Sequence, residues 1–286
     1  MQISWLGNQA CHDPTRSGRK AAILSRLAAA DHPVPPGFCL TALRCFANPA
    51  APTCATLPAP LRGELKAAYE RLCSRCGSAD VPVAVRSSAC DEDGAEASCA
   101  GQYESLLNVS GVEAVAEAVI RCWSSATSAH ATSYRRERGL PDAASLAVLV
   151  QQLVLADVSV VAFSANPVTG ERNEVVIEAT WGLGASLVGG AVTPDLYTVS
   201  RNRPRIIHRR LGEKALMTIR APGGTREIEV PRVLRDRLTL SDGQAIEVAD
   251  LAEALEKRTR HPVDLECAYS GDRLYLLQCR PITSLP

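Results

Sequence analysis

The chain reads as an α+β protein. Three observations carry this: helical and strand periodicities are both present but do not alternate regularly, 46% of the 286 residues are apolar, and a period-two hairpin closes the sequence. A chain of this length can bury one large core or two lobes.

The elements follow in order. A short helix is expected from Lys20 to Ala30, then a proline-rich turn and an extended segment ending at Thr41. Residues 47–60, rich in Ala and Pro, read as a surface loop or a connection between lobes. Apolar positions at helical spacing mark a helix from Leu61 to Cys76, and Val81 to Val85 has the pattern of a short buried strand. A polar, small-residue stretch runs on to Gly101, followed by helices over Val112–Ala126 and Ser128–Arg138. From Leu146 the pattern turns to strands: 146–154, 158–164, 174–179, 197–200 and 205–208. Helices return at 231–238 and 243–258. The expected division is an N-terminal lobe over 1–145 and a C-terminal lobe over 146–286.

Composition excludes several function classes. Lys plus Arg and Asp plus Glu number 31 each, so net charge points to neither a nucleic-acid nor a membrane-surface partner. The basic clusters at Arg135–Arg138 and Arg201–Arg210 read first as solvated faces. No apolar run reaches the roughly 18 residues that span a bilayer, and no signal-peptide plan opens the chain, so a cytoplasmic protein is expected. The 11 cysteines are odd in number and lack an export context, which argues against a disulfide framework; Cys73-Ser74-Arg75-Cys76 lacks a second ligand pair and reads as helix.

The sharpest chemical signal lies in Asp264-Leu265-Glu266, a turn at Gly271-Asp272, and Leu274-Tyr275-Leu276-Leu277-Gln278-Cys279-Arg280-Pro281. In a hairpin, alternation sets Glu266, Gln278 and Arg280 toward one site. A carboxylate and an amide oxygen suit Mg²⁺, and a guanidinium beside them suits phosphate. The same pattern also fits an ordinary hairpin with a solvated polar face, and the residues alone leave both readings open. Ser17-Gly18-Arg19-Lys20 places a cation at a helix start, a setting for phosphate oxygens, although the P-loop spacing is absent. Arg86-Ser87-Ser88 sits where a buried strand is expected to end, and Ser98 to Ser105 offers small residues, Gly101 among them, for close backbone approach. Gln151, Leu153 and Val154 form a plausible edge for adenine, and Glu178 ends a strand before a Gly182-Leu183-Gly184 turn.

In this order, VAVRSSA with SCAGQYES, ANPVTGER, VVIEATWGLGASLVGGAVTPD, and DLECA with LYLLQCRPIT resemble the nucleotide-binding domain of the phosphoenolpyruvate synthase and pyruvate phosphate dikinase family, which includes rifampin phosphotransferases. The resemblance covers about Gly18 to Pro281. It implies an ATP-grasp-like fold, two lobes enclosing a nucleotide cleft, with ATP and Mg²⁺ as cofactors. It matches Lys20, Arg86 and Arg280 to the family's phosphate-binding and transfer residues, Gln151 with Leu153 and Val154 to the adenine segment, and Glu266 and Gln278 to the Mg²⁺ ligands. Gly101, Ser105 and Glu178 are likewise expected among the nucleotide-binding positions. Departures are modest: Ser105 for a threonine, Cys99 for an aromatic residue and Cys267 for a tryptophan. Family members carry a phosphate-accepting histidine in a G-G-x-T-x-H setting, and the five histidines here lie in none. The resemblance therefore implies a stand-alone phosphotransferase acting on a small-molecule hydroxyl, amine or amide; the alternative is the ATP-binding half of a split dikinase that phosphorylates a separate histidine-carrier protein.

Overall fold

The structure, a computed structural model, describes residues 3–41, 56–90, 105–125, 146–283 and 285. The expected helix over 128–138 and most of the 47–60 connection lie outside them. The α+β expectation holds: strands and helices divide between two compact units, the first comprising the described residues through Leu153, the second those from Val154 onward.

The first unit is built on a five-stranded sheet in the order β1 (Ile3–Trp5), β2 (Gly37–Leu40), β5 (Leu146–Gln152), β3 (Val83–Ala89) and β4 (Ser105–Val109), with every pairing antiparallel. On β3 the side chains alternate. Val83, Val85 and Ala89 join Val148 and Val150 of β5 in the core beneath α2 (Ala59–Cys76) and α3 (Val112–Ser125). Arg86 and Ser88 fall on the opposite side, which α1 (Pro14–Ala28) covers; Ser88 lies against Gly18 and accepts the Ala21 amide. β3 runs four residues past the expected strand end at Val85, because Arg86, Ser87 and Ser88 still pair with Leu149, Val148 and Ala147.

Helix α1 also starts earlier than periodicity indicated. Asp13 caps it by accepting the Thr15 amide, Pro14 occupies the first turn, and Gly18, at φ 73° and ψ 164°, breaks the helical dihedrals before the helix resumes through Lys20. A kink of this kind hides a first turn from a search for uninterrupted helical spacing.

The second unit carries a six-stranded antiparallel sheet ordered β13 (Arg273–Pro281), β12 (Val263–Ser270), β6 (Val158–Phe163), β7 (Glu174–Trp181), β8 (Asp195–Ser200) and β9 (Arg205–Arg210). One face is apolar. Val263, Leu265, Cys267, Ile177, Tyr197 and Val199 are buried there with Ala245, Val248, Ala249, Ala252 and Leu255 of α6 (Asp242–Thr259). Ser241 and Gln244 form a capping box at the start of α6. A separate hairpin, β10 (Leu216–Ala221) and β11 (Gly224–Glu229), is tied to the end of β7 through Leu183 and Thr218, and periodicity did not flag it. Short helices α4 (Ala185–Val188) and α5 (Arg232–Arg235) complete the unit. The Asp195 carboxylate is fully buried and accepts from Lys214 Nζ at 2.6 Å, the Gly212 amide, and both the amide and hydroxyl of Thr239.

Candidate functional site

Each unit gathers its own set of the residues singled out in the sequence. In the first, Lys20 is buried and its Nζ donates to the Ser87 carbonyl at 3.3 Å. The segment carrying it is docked on the end of β3 at several points: Ser88 Oγ accepts the Ala21 amide at 3.1 Å, and Arg19 Nε donates to the Cys90 carbonyl at 2.7 Å. Glycine is required at position 18, since a Cβ there would lie 1.9 Å from the Ser88 carbonyl oxygen. Arg86 stands half-buried on the same strand, with Ser105 opposite it on β4 and Leu149 opposite it on β5. Lys20, Arg86 and Ser105, separated by up to 85 positions in sequence, thus gather along one strand, β3. Gly101 lies outside the described residues.

The adenine expectation meets a partly occupied edge. Gln151 is buried opposite Ala84, two residue pairs from Arg86, and its amide Nε2 donates to the Pro35 carbonyl at 3.0 Å. Leu153 and Val154 are both buried, with the Leu153 amide bonded to the Pro82 carbonyl at 2.9 Å.

In the second unit the register sets the geometry. Glu266 lies directly opposite Gln278 on β13 and opposite Val161 on β6; Val161 lies opposite Glu178, Glu178 opposite Leu196, and Leu196 opposite Arg210. Directly paired residues project to the same face, so this row runs across the whole sheet on the side away from α6. The next row holds Arg280, Asp264 and Phe163. Arg280 Nε donates to Asp264 Oδ2 at 2.7 Å, which fixes the guanidinium beside the Glu266–Gln278 pair.

The alternation expected of the last strand is broken at one place. The pairing slips between Glu266 and Cys267, so Leu277 is an extra residue on β13. Without that bulge, Leu276 and Gln278 would share a face; with it, Leu276 is buried opposite Cys267 while Gln278 stays with Glu266.

Electrostatically the face is mixed. Burial pushes the Glu178 carboxyl above its ordinary value, and the Arg210 guanidinium pulls it partly back. On the other face, burial raises the Cys267 thiol, with Cys279 adding to the effect, so both cysteines flanking the cluster are packing residues. Asp264 and Arg210 were not singled out from the sequence. Asp264 had a readable signal, its spacing of two from Glu266; Arg210 had none beyond membership of a basic run. One carboxylate and one amide, opposed across adjacent strands with an acid-braced guanidinium in the next row, form an oxygen donor set that leaves most of a Mg²⁺ shell to water and phosphate.

A family model described as the pyruvate phosphate dikinase AMP/ATP-binding domain matches residues 53–286. The phosphoenolpyruvate synthase of Pyrococcus furiosus is 43% identical over 80% of this chain and 29% of its own length. The prodigiosin synthesizing transferase PigC of Serratia marcescens is 35% identical over 95% of this chain and 32% of its own. The chain spans roughly a third or less of such relatives. Among solved structures, D-alanyl-alanine synthetase A of Vibrio cholerae superposes with a TM-score of 0.37 at 14% identity, over 93% of this chain and 56% of that one, too loosely to carry an argument.

Proposed function

This chain belongs to the pyruvate phosphate dikinase AMP/ATP-binding domain family, and from that premise we propose that it is a Mg²⁺-dependent ATP phosphotransferase whose acceptor is a small-molecule hydroxyl, amine or amide. The observation that carries the reading is the register of β12 and β13, which opposes Glu266 to Gln278 and seats Arg280 on Asp264 beside them. Glu266 and Gln278 would hold the metal. Bound Mg²⁺ supplies charge neutralisation for the ATP phosphates.

The chain's own residues do the rest. Arg280, held in place by Asp264, offers a planar donor pair to a phosphate, and Lys20 and Arg86 offset the charge that spreads over the transferred group. Docking of the Lys20 segment on Ser87 and Ser88 fixes where that charge sits relative to Arg86. Such positioning and electrostatics account for most of the catalysis in phosphoryl transfer. Gln151, Leu153 and Val154 would line the base, Ser105 and Gly101 the phosphates, and Glu178 the nucleoside. No helix of the described residues is long and apolar enough to cross a membrane, and a cytoplasmic setting is part of the proposal.

A second reading is favoured by the phosphoenolpyruvate synthase relatives: phosphate would pass to a histidine on a carrier protein, with release of AMP and phosphate. The two readings part in one experiment. The purified chain is incubated with Mg-ATP and a cell extract, and ADP, AMP and new phosphorus NMR signals are followed. A new phosphorylated small molecule supports the first reading. Acid-labile phosphate on a protein, with AMP formed, supports the second. Absence of ATP consumption under all conditions overturns both.

A further inference from the structure

We propose that Glu178 reads the ribose of the nucleotide, accepting hydrogen bonds from its 2′- and 3′-hydroxyls. This rests on the nucleotide reading above and adds to it a choice between ribo- and deoxyribonucleotides.

The argument starts from the row that crosses the second sheet. β13 is its edge strand, so from Glu266 and Gln278 the row continues in one direction only, over Val161 to Glu178. Adjacent strands lie about 4.8 Å apart, so Glu178 stands about 10 Å from Glu266 across the face. That is the scale separating the metal-bound phosphates of a nucleotide from the hydroxyls of its sugar. Val161, half-buried between the two carboxylates, offers an apolar floor under the sugar ring. Glu178 therefore stands at sugar distance from a cluster suited to phosphates, and an ionised carboxylate is an acceptor-only group that matches a vicinal diol, which offers two donors.

Arg210 closes the row on the far side of Leu196 and acts electrostatically on Glu178. Its pull opposes the effect of burial and favours the charged form that accepts both hydroxyls.

The test uses equilibrium binding, so it needs no acceptor. Dissociation constants are measured by calorimetry for Mg-ATP, Mg-2′-deoxy-ATP and Mg-3′-deoxy-ATP with the whole chain and with Glu178→Ala, Glu178→Gln and Arg210→Ala. A hydrogen bond to a charged group gives about a 10- to 100-fold preference for ATP over either deoxy analogue in the unaltered chain. Glu178→Ala brings the ratio close to one, chiefly by weakening ATP. Glu178→Gln, which keeps the volume and one acceptor, falls between, and Arg210→Ala lowers the ratio while retaining some preference. An unchanged ratio in Glu178→Ala, or equal affinities in the unaltered chain, overturns the assignment of Glu178 while leaving the nucleotide site standing. Failure of the unaltered chain to bind Mg-ATP at all overturns the nucleotide reading, and this inference falls with it.

Discussion

Substituting Gly18 with alanine tests how the lysine-bearing segment is held. Two costs add at this position. Dihedrals of φ 73° and ψ 164° belong to a region essentially reserved for glycine, at about 1–3 kcal/mol for any other residue. A Cβ would also meet the Ser88 carbonyl oxygen at 1.9 Å and carbon at 2.3 Å, well inside any contact real atoms make. Those atoms belong to β3, which pairs with both neighbours, so relief must come from displacing the segment, at about 1–3 kcal/mol more. The sum, about 2–6 kcal/mol, lowers the melting temperature of a unit this size by roughly 4–24 °C. Lifting the segment also breaks the bond from Lys20 Nζ to Ser87, so affinity for Mg-ATP falls in parallel. Thermal denaturation followed by circular dichroism, with calorimetric titration of Mg-ATP, reads both. A companion Gly18→Ala, Ser88→Gly double variant removes the Ser88 Oγ that also lies near, at 2.4 Å, but leaves the carbonyl, so it recovers little. Full recovery in the double variant, or an unchanged melting temperature in the single one, refutes the account of this contact.

Two further outcomes follow from buried charge. Replacing Lys214 with methionine leaves Asp195 fully buried without its cation and costs about 3–5 kcal/mol in urea unfolding, whereas pairing it with Asp195→Asn returns part of that loss. At Glu178, burial raises the carboxyl, so the folded state binds its proton more tightly than the unfolded chain does. Stability from this group is complete below about pH 4.3, the ordinary glutamate value, and is lost as pH rises through the raised folded one. Glu178→Gln therefore unfolds at a higher temperature than the parent near pH 7, and the difference disappears at the acid end of a pH series.

Much of this was legible in the sequence because the physics was local. Period-two spacing placed Glu266, Gln278 and Arg280 on one hairpin, and period-3.6 spacing found α2, α3 and α6 to within two residues. What escaped depended on contacts distant in sequence or on breaks in a period. The glycine at 18 interrupts the helical dihedrals and so concealed the first turn of α1, although Asp13-Pro14 was a readable start signal. β3 extends through Arg86 to Ala89 only because β5 supplies the pairing, some 60 residues on. The Leu277 bulge cannot be read from alternation, since alternation is what it breaks. The β10–β11 hairpin had its cue in Pro222-Gly223-Gly224, but its strands alternate weakly and bury little. Glu178 and Arg210 fall in one row only through the register of three strands, information no single segment contains.

The most direct measurement of the central claim is calorimetric titration of ATP, with and without Mg²⁺, into the unaltered chain and into Glu266→Ala. Glu266 is on the polar face of β12, away from the packed core, so the variant keeps the circular dichroism spectrum of the parent. The account predicts Mg²⁺-dependent ATP binding in the parent and a loss of that dependence in the variant. Binding of Mg-ATP to Glu266→Ala with the parent's affinity and metal dependence would contradict it.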